Sequence, residues 1–106
     1  MGTVKGEAGC NPLDEVLVMV KLSGGIVTNN IAGRAASVLG YKKTNYFSQK
    51  RPIYYNSNTS KDIGYIVFDQ TSHNGGFWKA ASSVENLGSD ITRTGTFDIY
   101  LNYIGK

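Results

Sequence analysis

A chain of 106 residues has the usual size of one domain and can bury about two thirds of its unfolded surface around one core. With 41% hydrophobic, 11% aromatic and 18% charged residues, the composition excludes a disordered chain, and thirteen glycines and seven tyrosines point to many turns and amphipathic aromatics. The lone cysteine, Cys10, excludes an internal disulfide, and with His73 as the lone histidine no Cys/His zinc cluster can form; no apolar run approaches the ~20 residues of a membrane span.

Residues 1–10 are glycine-rich and read as a flexible lead to one domain over 1–106. Met1-Gly2 reads as an added start, the natural protein being expected to extend further toward its N-terminus. "NPLDEVLVMVKLSGG" predicts a helix: Asn11 is the N-cap, Pro12 the first helical residue, Asp14 and Glu15 occupy the first turn, Lys21 the last, and Gly24-Gly25 stop it. The β-branched "VLVMV" leaves a strand as the alternative. In "TNNIAGRAASVLGY" the apolar Ile31, Ala35, Val38 and Leu39 recur at helical spacing, so a helix is expected over about 30–39, capped by Asn29 or Asn30 and ended by Gly40.

Beyond Gly40 the period falls to two. Strands are expected at Pro52–Asn56, Gly64–Gln70, Phe77–Ala81, Thr94–Tyr100 and Leu101–Ile104, joined by turn-rich segments. Helices followed by consecutive strands predict an α+β fold, with N-terminal helices packed on one face of a twisted antiparallel β-sheet of four to five strands.

The net charge is +3, but its distribution says more. No acidic residue lies between Glu15 and Asp62, where Lys21, Arg34, Lys42, Lys43, Lys50, Arg51 and Lys61 are interleaved with Tyr41, Tyr46, Phe47, Tyr54 and Tyr55. Cations that neutralise phosphates and aromatic faces that stack on bases suit a nucleic-acid track, and an acidic protein would exploit the same surface. A plain solvated surface is the unspecialised alternative.

The stretch "DQTSHNGGFWK" holds the histidine, the lone tryptophan and an Asn-Gly-Gly turn signal. Along one strand Asp69, Thr71 and His73 share a face, though Asp69 and His73 would stand about 13 Å apart on a straight strand. A two-residue Asn74-Gly75 turn would set Lys79 opposite Gln70, on the other face; a three-residue turn would set it opposite Thr71, joining Asp69, Thr71, His73 and Lys79 and sending Trp78 away. Joined in this way the set suits RNA cleavage without a metal or other cofactor. The imidazole moves a proton at the ribose 2′-hydroxyl or the leaving 5′-oxygen, the carboxylate acts as its counterpart or orients it, and the lysine offsets charge on phosphate. A metal-dependent nuclease would want more carboxylates or histidines close together. A surface hairpin with one hydrogen-bonding histidine, in a binding module without turnover, is the remaining alternative.

The succession "AASVLGYKKTN", "IYY", "YIVFDQTSHNGGFWKAASSVENLGS" and "TRTGTFDIYLNYIGK" resembles the C-terminal nuclease domains of bacterial polymorphic toxins, found on contact-dependent inhibition proteins and LXG-type toxins. The resemblance covers about residues 31–106. It implies an interbacterial toxin, delivered from the producing bacterium into the target-cell cytoplasm, monomeric as a nuclease and neutralised by a cognate, acidic immunity protein. One branch is similar to ribosome-cleaving colicins, which cut 16S rRNA with acidic residues, a histidine and a lysine. Those positions correspond to Asp69, His73 and Lys79, while Thr71 stands where that branch carries a second acid. Other members act on DNA, which keeps a metal-dependent DNase as an alternative. The closing motif places Arg93 and Thr94 as candidate phosphate contacts beside Arg34, Lys42, Lys43, Lys50 and Arg51, with Gly95 and Thr96 equally suited to shaping a turn.

Overall fold

The computed structural model describes residues 11–69 and 75–106, so the expectations for the lead, Cys10, Thr71, His73 and Asn74 lie outside the described residues. Helix α1 spans Pro12–Leu22, and the Asn11 side chain accepts a hydrogen bond from the Leu13 amide at 2.9 Å, as an N-cap should. Leu13, Val16 and Val20 are buried along one stripe, which is why the β-branched run folds as a helix. Helix α2 spans Asn29–Val38. Its cap is Thr28, not Asn29 or Asn30: the Thr28 hydroxyl accepts from the Ile31 amide at 3.2 Å while both asparagines are already helical.

Six strands follow among the described residues: β1 (Lys42–Ser48), β2 (Arg51–Tyr55), β3 (Tyr65–Phe68), β4 (Trp78–Ala81), β5 (Gly95–Phe97) and β6 (Tyr103–Gly105). They form one antiparallel meander in chain order. The α+β arrangement is as expected, but the count exceeds four to five because β1 carries no apolar alternation. It is an edge strand whose residues are exposed or half-buried. Its register shifts by two between Lys43 and Phe47, and the Thr44 hydroxyl fills the gap, donating to the Ile53 carbonyl at 2.7 Å and accepting from the Tyr46 amide at 3.1 Å.

The expected Thr94–Tyr100 strand stops at Phe97. Asp98 Oδ1 accepts from the amides of Tyr100 and Asn102, both at 2.9 Å, and folds the chain back through Leu101 at φ 67°. Gly95 is needed where it stands: a Cβ there would overlap the Tyr103 ring and come within 3.0 Å of the Gly105 carbonyl oxygen.

The two sheet faces differ. On one, Tyr54, Ile66, Phe68, Trp78, Ala80 and Phe97 pack with the buried stripes of both helices into the main core, and the Trp78 indole donates to the Ile99 carbonyl at 3.4 Å. On the other, Ile53, Val67, Ala81 and Leu87 form a small cluster beneath the 3₁₀ turn Glu85–Gly88, which leaves the rest of that face open to solvent. No helix among the described residues is long and apolar enough to cross a membrane.

Candidate functional site

The open face holds the site. In the β3–β4 ladder Lys79 lies opposite Val67 and Trp78 opposite Phe68, and the Asp69 amide donates to the Phe77 carbonyl at 2.7 Å. Neither expected turn register is therefore present, since Lys79 faces neither Gln70 nor Thr71. Among the described residues the ladder runs as far as Asp69 and Phe77. The offset from the three-residue register is nonetheless even, so Asp69 and Lys79 keep the common face it assigned them. Burial enforces that parity, because Phe68 and Trp78 retain 2% and 0% exposure on the helix side. Lys79 and Asp69 are left together on the other face, with Lys79 Nζ 3.4 Å from Asp69 Oδ2 and side-chain exposures of 27% and 19%.

This pair stands in a cleft of about 480 Å³ that also includes Arg51 and Arg93, with Ser48 and Gln49 on its rim. The Arg51 guanidinium donates to the Phe68 carbonyl at 2.5 Å and to Gln49 Oε1 at 3.0 Å, and its carbon lies 5.6 Å from the centre of the Phe68 ring. It thereby ties the tip of the β1–β2 hairpin to the end of β3, one residue before Asp69. Arg93 arrives on the loop between β4 and β5, its amide bonded to the Ser89 carbonyl at 2.9 Å. Its Nε is buried without a hydrogen-bond partner among the described residues. Three cations around one carboxylate make the cleft an attractor for anions, and the low-dielectric walls strengthen the field.

Other expected positions fall elsewhere. Thr94 is used structurally: its amide donates to the Ala80 carbonyl at 2.8 Å and its hydroxyl to the Asp62 carbonyl at 2.5 Å. Arg34 is exposed on α2, and Lys50 is exposed at the hairpin tip. Lys42 and Lys43 line a separate groove of about 520 Å³ with Phe47, Tyr54 and the side of α2 from Asn29 to Ser37. Thr71 and His73 lie outside the described residues.

Residues 34–106 match the family model of Novel toxin 21. The chain belongs to the Novel toxin 21 family. It is thus a domain of the bacterial polymorphic toxin class. No curated protein and no solved structure matched in the other two comparisons. Within this Novel toxin 21 domain, the matched segment contains all six strands and every cleft residue named above, whereas α1 precedes it.

Sequence reasoning did not anticipate Ser48 and Gln49 at the cleft. They belong to a hairpin whose two turn residues, Gln49 and Lys50, adopt φ 51° and 68°, the left-handed conformation that usually announces itself by Asn or Gly. Only the charge run from Arg34 to Arg51 marked the region.

Proposed function

We propose that this toxin domain is a metal-independent ribonuclease whose reaction centre is the cleft around Asp69 and Lys79. The observation that carries the reading is the Lys79–Asp69 pair at 3.4 Å, flanked in one cleft by Arg51 and by Arg93 with its unsatisfied buried Nε. A phosphodiester is the common biological group that brings negative charge and several acceptor oxygens to such a place.

In the proposed reaction the 2′-oxygen of a ribose attacks the adjacent phosphorus and the P–O5′ bond breaks, giving a cyclic phosphate and a free 5′-hydroxyl. His73, four residues beyond Asp69 in the chain, and Asp69 share the two proton transfers, from the 2′-hydroxyl and to the leaving 5′-oxygen. Lys79 offsets the charge that builds on the phosphoryl oxygens, and Arg93 orients them. Thr71 contributes a hydroxyl where related enzymes place a second acid. Ribosomal RNA, with 16S rRNA foremost, is the proposed target in the cytoplasm of a recipient bacterium. An acidic immunity protein protects the producer.

The test is brief expression in a susceptible bacterium followed by electrophoresis of total RNA and genomic DNA. A discrete rRNA fragment, lost on His73→Ala or Asp69→Asn and formed by the purified protein in EDTA, is the expected outcome. Degraded DNA with intact RNA, or activity abolished by EDTA, would refute it.

A further inference from the structure

The basic residues of the Arg34–Arg51 stretch do not form one track. The β1–β2 hairpin separates them. Phe47 pairs with Pro52 and Lys43 with Tyr54, on the side where Pro52 and Tyr54 are buried under α2; Ser48 pairs with Arg51 and meets the cleft of Asp69 and Lys79 on the opposite side. The groove on the helix side is as roomy as the cleft, and none of its lining residues is acidic.

Its lining is chemically selective. Phe47 remains 58% exposed beside this groove. Lys43 Nζ lies 6.0 Å from the centre of its ring, so a cation and an exposed π-face are neighbours. The amides of Asn29 and Asn30 offer donors and acceptors across the groove. A flat aromatic face next to positive charge and amides matches one nucleotide unit, a base beside its phosphate. A volume of about 520 Å³ falls in the range of small-molecule sites.

We propose that this groove is a second binding site for single-stranded RNA, with a base stacked on Phe47 and the adjoining phosphate held by Lys43. The choice of RNA over another single strand rests on the ribonuclease reading of the cleft; the stacking and charge argument does not. A strand occupying both sites bends round the hairpin tip, where the exposed Lys50 can follow its backbone. A flexible single strand makes that bend, whereas a stiff duplex does not. The site thus selects unpaired segments and anchors them away from the cleft.

The experiment measures fluorescence anisotropy of a labelled twelve-nucleotide oligouridine with the full chain carrying His73→Ala, which prevents turnover. Thermal melts verify folding of each variant. Adding Phe47→Ala is expected to weaken binding about tenfold, the usual effect of removing one stacked base, while Phe47→Trp restores it. Lys43→Gln is expected to weaken binding and flatten its salt dependence. Unchanged affinity in a folded Phe47→Ala protein overturns the proposal and leaves the aromatic to a protein partner; absence of oligouridine binding also overturns it. If the parent protein cleaves no RNA but binds oligouridine through Phe47, the groove stands and the ribonuclease reading falls. If it cleaves RNA and Phe47 is immaterial, the reverse holds.

Discussion

Lys79→Met keeps most of the aliphatic stem that packs beside Val67 and removes only the charge, so it separates what the lysine does for the fold from what it does for phosphate. At 3.4 Å the bare attraction between the Lys79 and Asp69 charges is about 5 kcal/mol at an effective dielectric of ~20. Loss of hydration and of side-chain freedom cancels most of this. With 27% and 19% of the side chains still exposed, a net contribution of about 1 kcal/mol remains. Arg51 and Arg93 stay in the cleft to balance Asp69, so removal leaves no isolated buried charge. The expected loss of thermal stability is therefore about 5 °C. Removing a donor aimed at transition-state charge costs much more, roughly a 100- to 1,000-fold fall in rate. The assay pairs thermal unfolding with the rate of fragment formation from ribosomes, both at a temperature where each protein is folded. A folded Lys79→Met protein within about threefold of the parent rate would refute a phosphate-stabilising role. A rate loss that merely tracks the unfolded fraction would make the pair structural.

Three further outcomes follow from the fold. Gly95→Ala drives a methyl into the Tyr103 ring and should lower stability by roughly 1–3 kcal/mol, seen as a lower urea midpoint; an unchanged midpoint would mean that β6 can move aside freely. Lys50→Gly relieves a left-handed side-chain-bearing residue at φ 68° and should raise stability by about 1 kcal/mol in thermal melts, while weakening RNA binding by one phosphate contact; a loss of stability would show that Lys50 makes an interaction outweighing its backbone strain. Burial raises the Tyr41 and Tyr54 phenols above the ordinary value of 10.0, and a hydrogen bond to Asp14, with lesser help from burial and nearby carboxylates, raises Tyr100. Neutral tyrosine is the favoured form in the folded state, so this contribution is whole below pH 10 and is lost as pH rises through the raised values. Tyrosinate absorbance should therefore develop later in the native protein than in denaturant, and coincident curves would contradict the burial of Tyr41 and Tyr54.

Helix α1 was legible because its signals are local: Asn11, Pro12, the early acids and Gly24-Gly25 act within one turn of the backbone they mark. Helix α2 was legible from periodicity, but its cap is Thr28, because three neighbouring residues can all cap and apolar periodicity does not choose among them. Strand β1 was not legible. Edge strands need no apolar alternation, and Lys42–Ser48 owes its pairing to β2, whose Ile53 and Tyr54 do carry a burial signal. Its hairpin lacked even a turn signature, since Gln49 and Lys50 take up positions that glycine or asparagine would fill with less strain.

The site depended on parity more than on turn length. Asn74-Gly75 suggested where the chain should reverse, yet the ladder sets Lys79 opposite Val67 and gives that turn no say in the register. A shift by an odd number of residues would have placed Trp78 in water and Lys79 in the main core, at a cost of several kcal/mol for the indole alone. A shift by an even number costs only ladder contacts and leaves every side chain on its own face. Burial of Phe68 and Trp78 therefore assigns Asp69 and Lys79 to one surface. The same reasoning holds at the other hairpin. The register of β1 slips by two at Thr44, an even step, so Lys43 and Phe47 stay on the helix side and Arg51 on the side of the cleft. A basic stretch that is continuous in sequence is divided between the two faces of the sheet by the pleat of the hairpin that carries it.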